Sequence, residues 1–118
     1  MTAKIQNFSM SRGNSGELFF DVNPDDGVSF VGANITWYVY GQAFGIPDKT
    51  TVLINKSVDH GGITITDPDL LKFTVTLDPS DTDNLDGNYY HEATIYDRLG
   101  DVVTCTVGVM SVTDTGAP

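Results

Sequence analysis

The sequence holds a single cysteine, Cys105, so no disulfide can form within the chain. Its fold must be held by a core alone, as in proteins that fold in a reducing compartment. Basic residues are scarce too: six Lys and Arg stand against sixteen Asp and Glu, a net charge of −10. Such a surface repels nucleic-acid phosphates and anionic lipid headgroups, so neither nucleic acid nor membrane is expected as a partner. No apolar run approaches the ~18 residues of a membrane span, and no basic flank with a signal-type apolar stretch follows Met1. The expectation is a protein made in the cytoplasm, where the sequons at Asn7, Asn34 and Asn55 carry no glycan.

Catalytic groups are equally thin. A nucleophile needs a base and an orienting group, yet the only histidines are His60 and His91, and there is no Gly-x-Ser-x-Gly elbow or phosphate-cradling glycine loop. His60, before Gly61-Gly62, reads as a turn residue. His91 falls on an inward parity and reads as a core histidine, and Cys105 as a small buried hydrophobe. Asp78, Asp81, Asp83 and Asp86 raise the question of calcium, but position 85 is Leu and no bidentate Glu follows as in an EF-hand. The run reads as a solvated turn whose Asp and Ser cap backbone amides. No enzyme activity, cofactor or metal is expected.

What the chain does contain is alternation. Short runs rich in Val, Ile, Thr, Tyr and Phe recur between turn formers, with no sustained helix period. This all-β pattern predicts strands over residues 4–10, 17–22, 33–41, 51–57, 62–66, 72–77, 88–97 and 102–113, with turns at 23–27, 45–48, 60–62, 67–69 and 99–101. One domain is expected over residues 1–113, with 114–118 a loose polar tail. Its 118 residues suffice to bury roughly two-thirds of the surface of the unfolded chain. Parity turns Leu18, Phe20, Ile35, Trp37, Val39, Ile63, Ile65, Phe73, Val75, Leu77, Ala93, Ile95, Val103, Cys105, Val107 and Val109 inward, enough to fill the space between two sheets about 10 Å apart.

The most informative stretch runs from Leu77 to Tyr89. A strand ends, Pro79 and Ser80 begin a tight helical turn, Leu85 is the one apolar plug, and Gly87-Asn88-Tyr89 opens the next strand. This arrangement resembles the corner of immunoglobulin-type sandwiches, where a Tyr buries its ring and ties its hydroxyl to upstream backbone. Tyr89 is the candidate, and Trp37 the central core aromatic. His91 stands two residues after the corner Tyr, where antibody domains place Cys, so the resemblance is to the wider immunoglobulin-like superfamily: an antiparallel β-sandwich of about seven or eight strands.

A more specific likeness covers residues 32–112. "GANITWYVYG", then "GITITDPDLLKFTVTLDPSDTDNLDGNYYHEATIYDRLGDVVT", is similar to small immunoglobulin-like proteins of tailed-phage structural gene clusters, in its Gly-Ala-x-Ile-x-Trp strand, its Pro-x-Asp-Thr turn and its Gly-x-Tyr-Tyr. The resemblance implies a non-enzymatic virion protein acting by protein–protein binding: a capsid decoration or cement protein, or a head-neck ornament, bound to the major capsid protein or another virion protein and able to self-associate. A carbohydrate- or receptor-binding module of the tail or baseplate is the alternative.

Immunoglobulin-like sandwiches set the third and seventh of these strands side by side. Outward parity there gives Tyr38, Tyr40, Tyr90 and Tyr96, extended by Val102 and Met110 from the last strand. An exposed tyrosine strip with few charges suits a protein interface, and ordinary cross-strand pairing on a solvated face gives the same pattern. For sugar binding, Asp97 and Arg98 in the adjoining hairpin are the polar candidates.

Overall fold

The computed structural model describes residues 4–21, 32–43, 46–67, 72–98 and 100–113. Among them run β1 (Lys4–Ile5), β2 (Phe8–Ser11), β3 (Gly16–Asp21), β4 (Asn34–Ala43), β5 (Ile46–Ser57), β6 (Ile63–Asp67), β7 (Lys72–Leu77), the single-turn α1 (Pro79–Thr82), β8 (Gly87–Tyr96) and β9 (Val102–Thr113). The expected turn at 23–27, Gly45, Pro68, Asp69, Leu99 and the tail at 114–118 lie outside the described residues.

Two sheets pack as a β-sandwich. One is ordered β1-β9-β8-β4-β5, with β2 continuing β1 along β9, and the other is β3-β7-β6. Alternation explains the pairing of faces: Ile35, Trp37 and Val39 of β4 and Ala93 and Ile95 of β8 meet Phe20, Ile63, Phe73, Val75 and Leu77 from the opposite sheet, all buried.

Three expectations are corrected. First, the pairing is not antiparallel throughout, because β1 and β2 run parallel to β9. The single strand expected at 4–10 breaks in two at Gln6 and Asn7 for a definite reason. Gln6 turns its carbonyl inward to the His91 ring, 2.6 Å from Nε2, and the Asn7 side chain takes over the ladder by accepting the Val109 amide at 2.9 Å. Second, the inward parity of β9 holds only to Cys105. Ala93 pairs with Thr106 but Thr94 with Thr104, so Cys105 is the extra residue of a β-bulge. Beyond it the strand is flipped: Thr106, Met110 and Val112 are buried, while Val107 and Val109, expected in the core, are half-exposed. Third, Ile46, Pro47 and Asp48 are not a turn but the start of β5, opposite Ala43, Gln42 and Gly41. Pro47 is tolerated because β5 is an edge strand and needs no donor there.

The corner before β8 is built on the hydroxyl of Tyr89. It accepts the Asp86 amide at 2.8 Å and donates to the Asp86 carbonyl at 3.1 Å. Gly87 between them has φ of 112°, a left-handed conformation that only glycine adopts without strain. Leu85, buried below the corner, is tied by its amide to the Thr82 carbonyl at 3.0 Å. Tyr89→Phe keeps the half-buried ring and removes only the hydroxyl, so it should cost about 1 kcal/mol. The expected reading is a lower urea midpoint with an unchanged denaturant slope, and an unshifted midpoint would mean that water replaces the bond without loss.

His91 ties β8 to β4 and to the β1–β2 crossing, and its ring touches Phe20 of the opposite sheet. Its Nδ1 accepts the indole N–H of the fully buried Trp37 at 3.2 Å, which leaves Nε2 to carry the proton donated to Gln6. Both ring nitrogens are thereby satisfied in the neutral form. Phe8, Phe20 and Trp37 surround the ring, with centroids 5.1, 6.2 and 5.9 Å away.

Candidate protein-binding face

The outer face of the larger sheet carries the tyrosines. Across β4 and β8, Tyr38 lies opposite Glu92, Tyr40 opposite Tyr90, and Asn34 opposite Tyr96. Tyr40 and Tyr90 stack at 6.0 Å and 23°, and Tyr38 meets Tyr40 edge-on at 6.0 Å. Tyr96 stands apart, beside Val102 and separated from the other three by the row of Thr36, Thr94 and Thr104. The structure thus brings together three of the four tyrosines singled out in the sequence, with Tyr96 and Val102 forming a second exposed patch at the far end.

Two site expectations are corrected. Met110 is fully buried, because the bulge at Cys105 turns it into the core against the inward side of β2. Tyr40 lies on the expected face but is only 6% exposed, because neighbouring strands and side chains cover it.

The cover over Tyr40 comes from β5. Tyr40 pairs with Val52 but Gly41 with Asp48, so Lys49, Thr50 and Thr51 bulge out of the edge strand. The Asp48 carboxylate shapes this bulge, accepting the Thr50 amide at 3.1 Å, the Thr50 hydroxyl at 2.6 Å and the Thr51 hydroxyl at 3.4 Å. These bonds hold its pKa below the usual value, the Thr50 hydroxyl contributing most. The bulge throws Lys49 across β4 to β8. Its ammonium stands 3.0 Å from Glu92 Oε2, 6.0 Å from the Tyr40 ring centroid and 5.8 Å from that of Tyr90.

Glu92 also accepts the Tyr90 hydroxyl at 3.1 Å. Burial first, and then the Glu92 charge, push the Tyr90 phenol up to about 12 and raise that of Tyr40. Both phenols are therefore neutral donors at any physiological pH. The result is a cation-accepting notch: two stacked ring faces, a carboxylate that is 14% exposed, and an ammonium already seated in it. Around the notch lie Val52, Ile5, Val107 and Val109, of which Ile5 and Val52 are well exposed.

Sequence reasoning missed Lys49 and Glu92. Glu92 was legible as the lone carboxylate alternating with Tyr90 on β8. Lys49 was not, because its place depends on a bulge that parity does not foresee. The run Asp48-Lys49-Thr50-Thr51 is nevertheless a recognisable Asx-turn sequence.

The remaining candidates are occupied elsewhere. Asp97 is buried and accepts the Asp101 amide at 3.0 Å, closing the β8–β9 hairpin. Asp81 accepts the Asp78 amide at 2.7 Å and holds Lys56 at 2.8 Å. His60 is exposed on the turn after β5 and borders an open polar cleft of about 480 Å³ shared with Lys56, Thr64 and Thr76. Cys105 is buried, its thiol directed at the Ala93 carbonyl. No protein-family model matches the sequence, and no curated protein does.

Proposed function

We propose that this chain is an immunoglobulin-like, non-catalytic binding domain that docks onto another protein through the outer face of its five-stranded path β1-β9-β8-β4-β5, and that its setting is the head of a tailed-phage particle, as a decoration or cement protein. The observation that carries the docking half is that face: tyrosines, valines and an isoleucine with one ion pair among them, in a chain whose net charge is −10. Apolar and aromatic area with few charges is what protein interfaces concentrate at their centres.

The immunoglobulin-like reading is supported by strand order. Such sandwiches pair B-E-D in one sheet and G-F-C in the other, with C′ added in variable-type domains. Here β3-β7-β6 and β9-β8-β4-β5 run in that order. Trp37 on β4, the Tyr89 corner before β8, and the Phe20–His91 contact between sheets, where antibody domains carry their disulfide, point the same way. The phage setting rests on the sequence pattern of residues 32–112. A tail or baseplate module binding sugars is less well supported, because Tyr40 and Tyr90 turn their ring faces to each other and to Lys49, and Asp97 closes a hairpin.

Purified protein added to expanded, undecorated heads of the phage that encodes it should co-sediment with them. Val52→Glu and Val102→Glu, both exposed on the docking face, should weaken binding at least about tenfold, an effect ordinary for charges buried at an interface. Phe19→Glu, equally exposed but on β3 in the other sheet, should not. Binding lost only in Phe19→Glu would move the interface to the opposite sheet, and no binding by any form would end the decoration reading.

A further inference from the structure

The notch on the docking face is filled from within, and its occupant is poorly held. Lys49 is 58% exposed, reaches Glu92 through a bulge in an edge strand, and sits at the outer limit of cation–π distance from both rings. Glu92, by contrast, is mostly covered and fixed by the Tyr90 hydroxyl. Any partner laid over this face removes water from Glu92, and a carboxylate in that position requires a close cation. Lys49 gives one hydrogen bond there. A guanidinium gives a planar fork that can bond a carboxylate and lie flat on an aromatic ring together, and it sheds water more readily than an ammonium.

We propose that the Tyr40–Tyr90–Glu92 notch receives an arginine side chain from a basic segment of the partner, and that Lys49 is its internal stand-in, displaced when the arginine enters. The inference rests on the reading of this face as the docking surface and names the chemistry of the partner. Charge agrees: Glu92 is the only carboxylate on the outward positions of β4, β8 and β9 among the described residues, and the chain as a whole is strongly acidic. A basic segment would be drawn in by the general field and registered by the single notch.

The test uses the full chain with carbon-13-labelled tyrosine rings, titrated with N-acetyl-arginine amide and followed by NMR. Lys49→Ala removes the stand-in from an exposed position, so arginine should bind it about tenfold more tightly than it binds the unaltered protein, shifting the Tyr40 and Tyr90 ring signals. N-acetyl-citrulline amide, which has the shape without the charge, should shift neither, and Glu92→Gln added to Lys49→Ala should abolish the effect while keeping an acceptor for Tyr90. Equal shifts with citrulline, or no saturable shift with arginine in Lys49→Ala, would overturn the proposal. The two readings fail separately. Head binding that is sensitive to Val52→Glu with no arginine response removes the notch and keeps the face, whereas an arginine response with face-insensitive head binding keeps the notch as a cation site and removes its role in docking.

Discussion

Gly108→Ala is expected to destabilise the protein by about 3 kcal/mol, although it adds one methyl group. Gly108 lies opposite His91 in the β8–β9 ladder, and the chain between β1 and β2 crosses directly over it. A Cβ there would collide with the Gln6 carbonyl oxygen, with the Gln6 carbonyl carbon at 2.7 Å and with Asn7 Oδ1 at 2.9 Å. Two of these atoms are backbone and cannot swing aside, so the crossing segment itself must lift. Lifting it breaks the Gln6–His91 bond and the Asn7–Val109 bond and loosens Phe8, which packs on Trp37 and His91. The cost combines overpacking with a buried ring nitrogen left without its acceptor.

Hydrogen exchange should locate the damage. In Gly108→Ala the amides of Gln6, Val109 and Arg12, bonded respectively to Val107, Asn7 and Thr113, should lose protection well before those of β4. Gly16→Ala is the matched control. Its Cβ would meet nothing within 4 Å, and trimming backbone freedom of the unfolded chain should leave stability unchanged or slightly raised. A Gly108→Ala protein as stable as the parent, with β1 still protected, would show that the crossing accommodates a side chain and that its closeness is incidental.

This crossing also marks where sequence reasoning stops. The central strands were legible because both faces of β4, β7 and β8 obey a period of two, and the corner was legible because Leu85, Gly87 and Tyr89 each have one physical use at their spacing. The last strand was legible only to its bulge. Its apolar phase drifts from Val103 and Cys105 to Met110 and Val112, while Ser111 and Thr113 take the odd positions, so the flip was written in the sequence without a marker for where it occurs. Met110 was misplaced for that reason alone. The stand-in role of Lys49 and the carbonyl of Gln6 were not legible, since each depends on a backbone departure in one strand meeting a side chain some forty or more residues away.

His91→Ala should be the other severe substitution, costing about 4 kcal/mol. It empties a site enclosed by Phe8, Phe20 and Trp37, and it leaves the buried Trp37 N–H and the Gln6 carbonyl without partners. His91→Phe separates the two parts. A ring remains to touch its neighbours while both polar partners are still orphaned, so its loss should be about half as large. The histidine also brings a pH dependence that no apolar ring has. Burial holds its pKa below the ordinary 6.5, partly opposed by the bond to Gln6, and protonation at Nδ1 would set two N–H groups against each other at Trp37. The unfolded chain takes up that proton near its ordinary pKa while the folded chain resists, so unfolding is favoured as pH falls from about 6.5 toward the lowered folded value, and the contribution is complete above about 6.5. Urea midpoints should therefore hold from about pH 7.5 to 6.5 and decline from there toward about 5.5 in the parent protein, and decline much less in His91→Phe. The carboxylates, Asp48 with its lowered pKa among them, add their own loss at lower pH in both proteins, which is why the comparison is made above their range. Parallel slopes in the two proteins over that window would mean that His91 takes up its proton without disturbing Trp37. The hydrogen-bonded ring would then not be what ties β8 to β4 and to the β1–β2 crossing within the larger sheet.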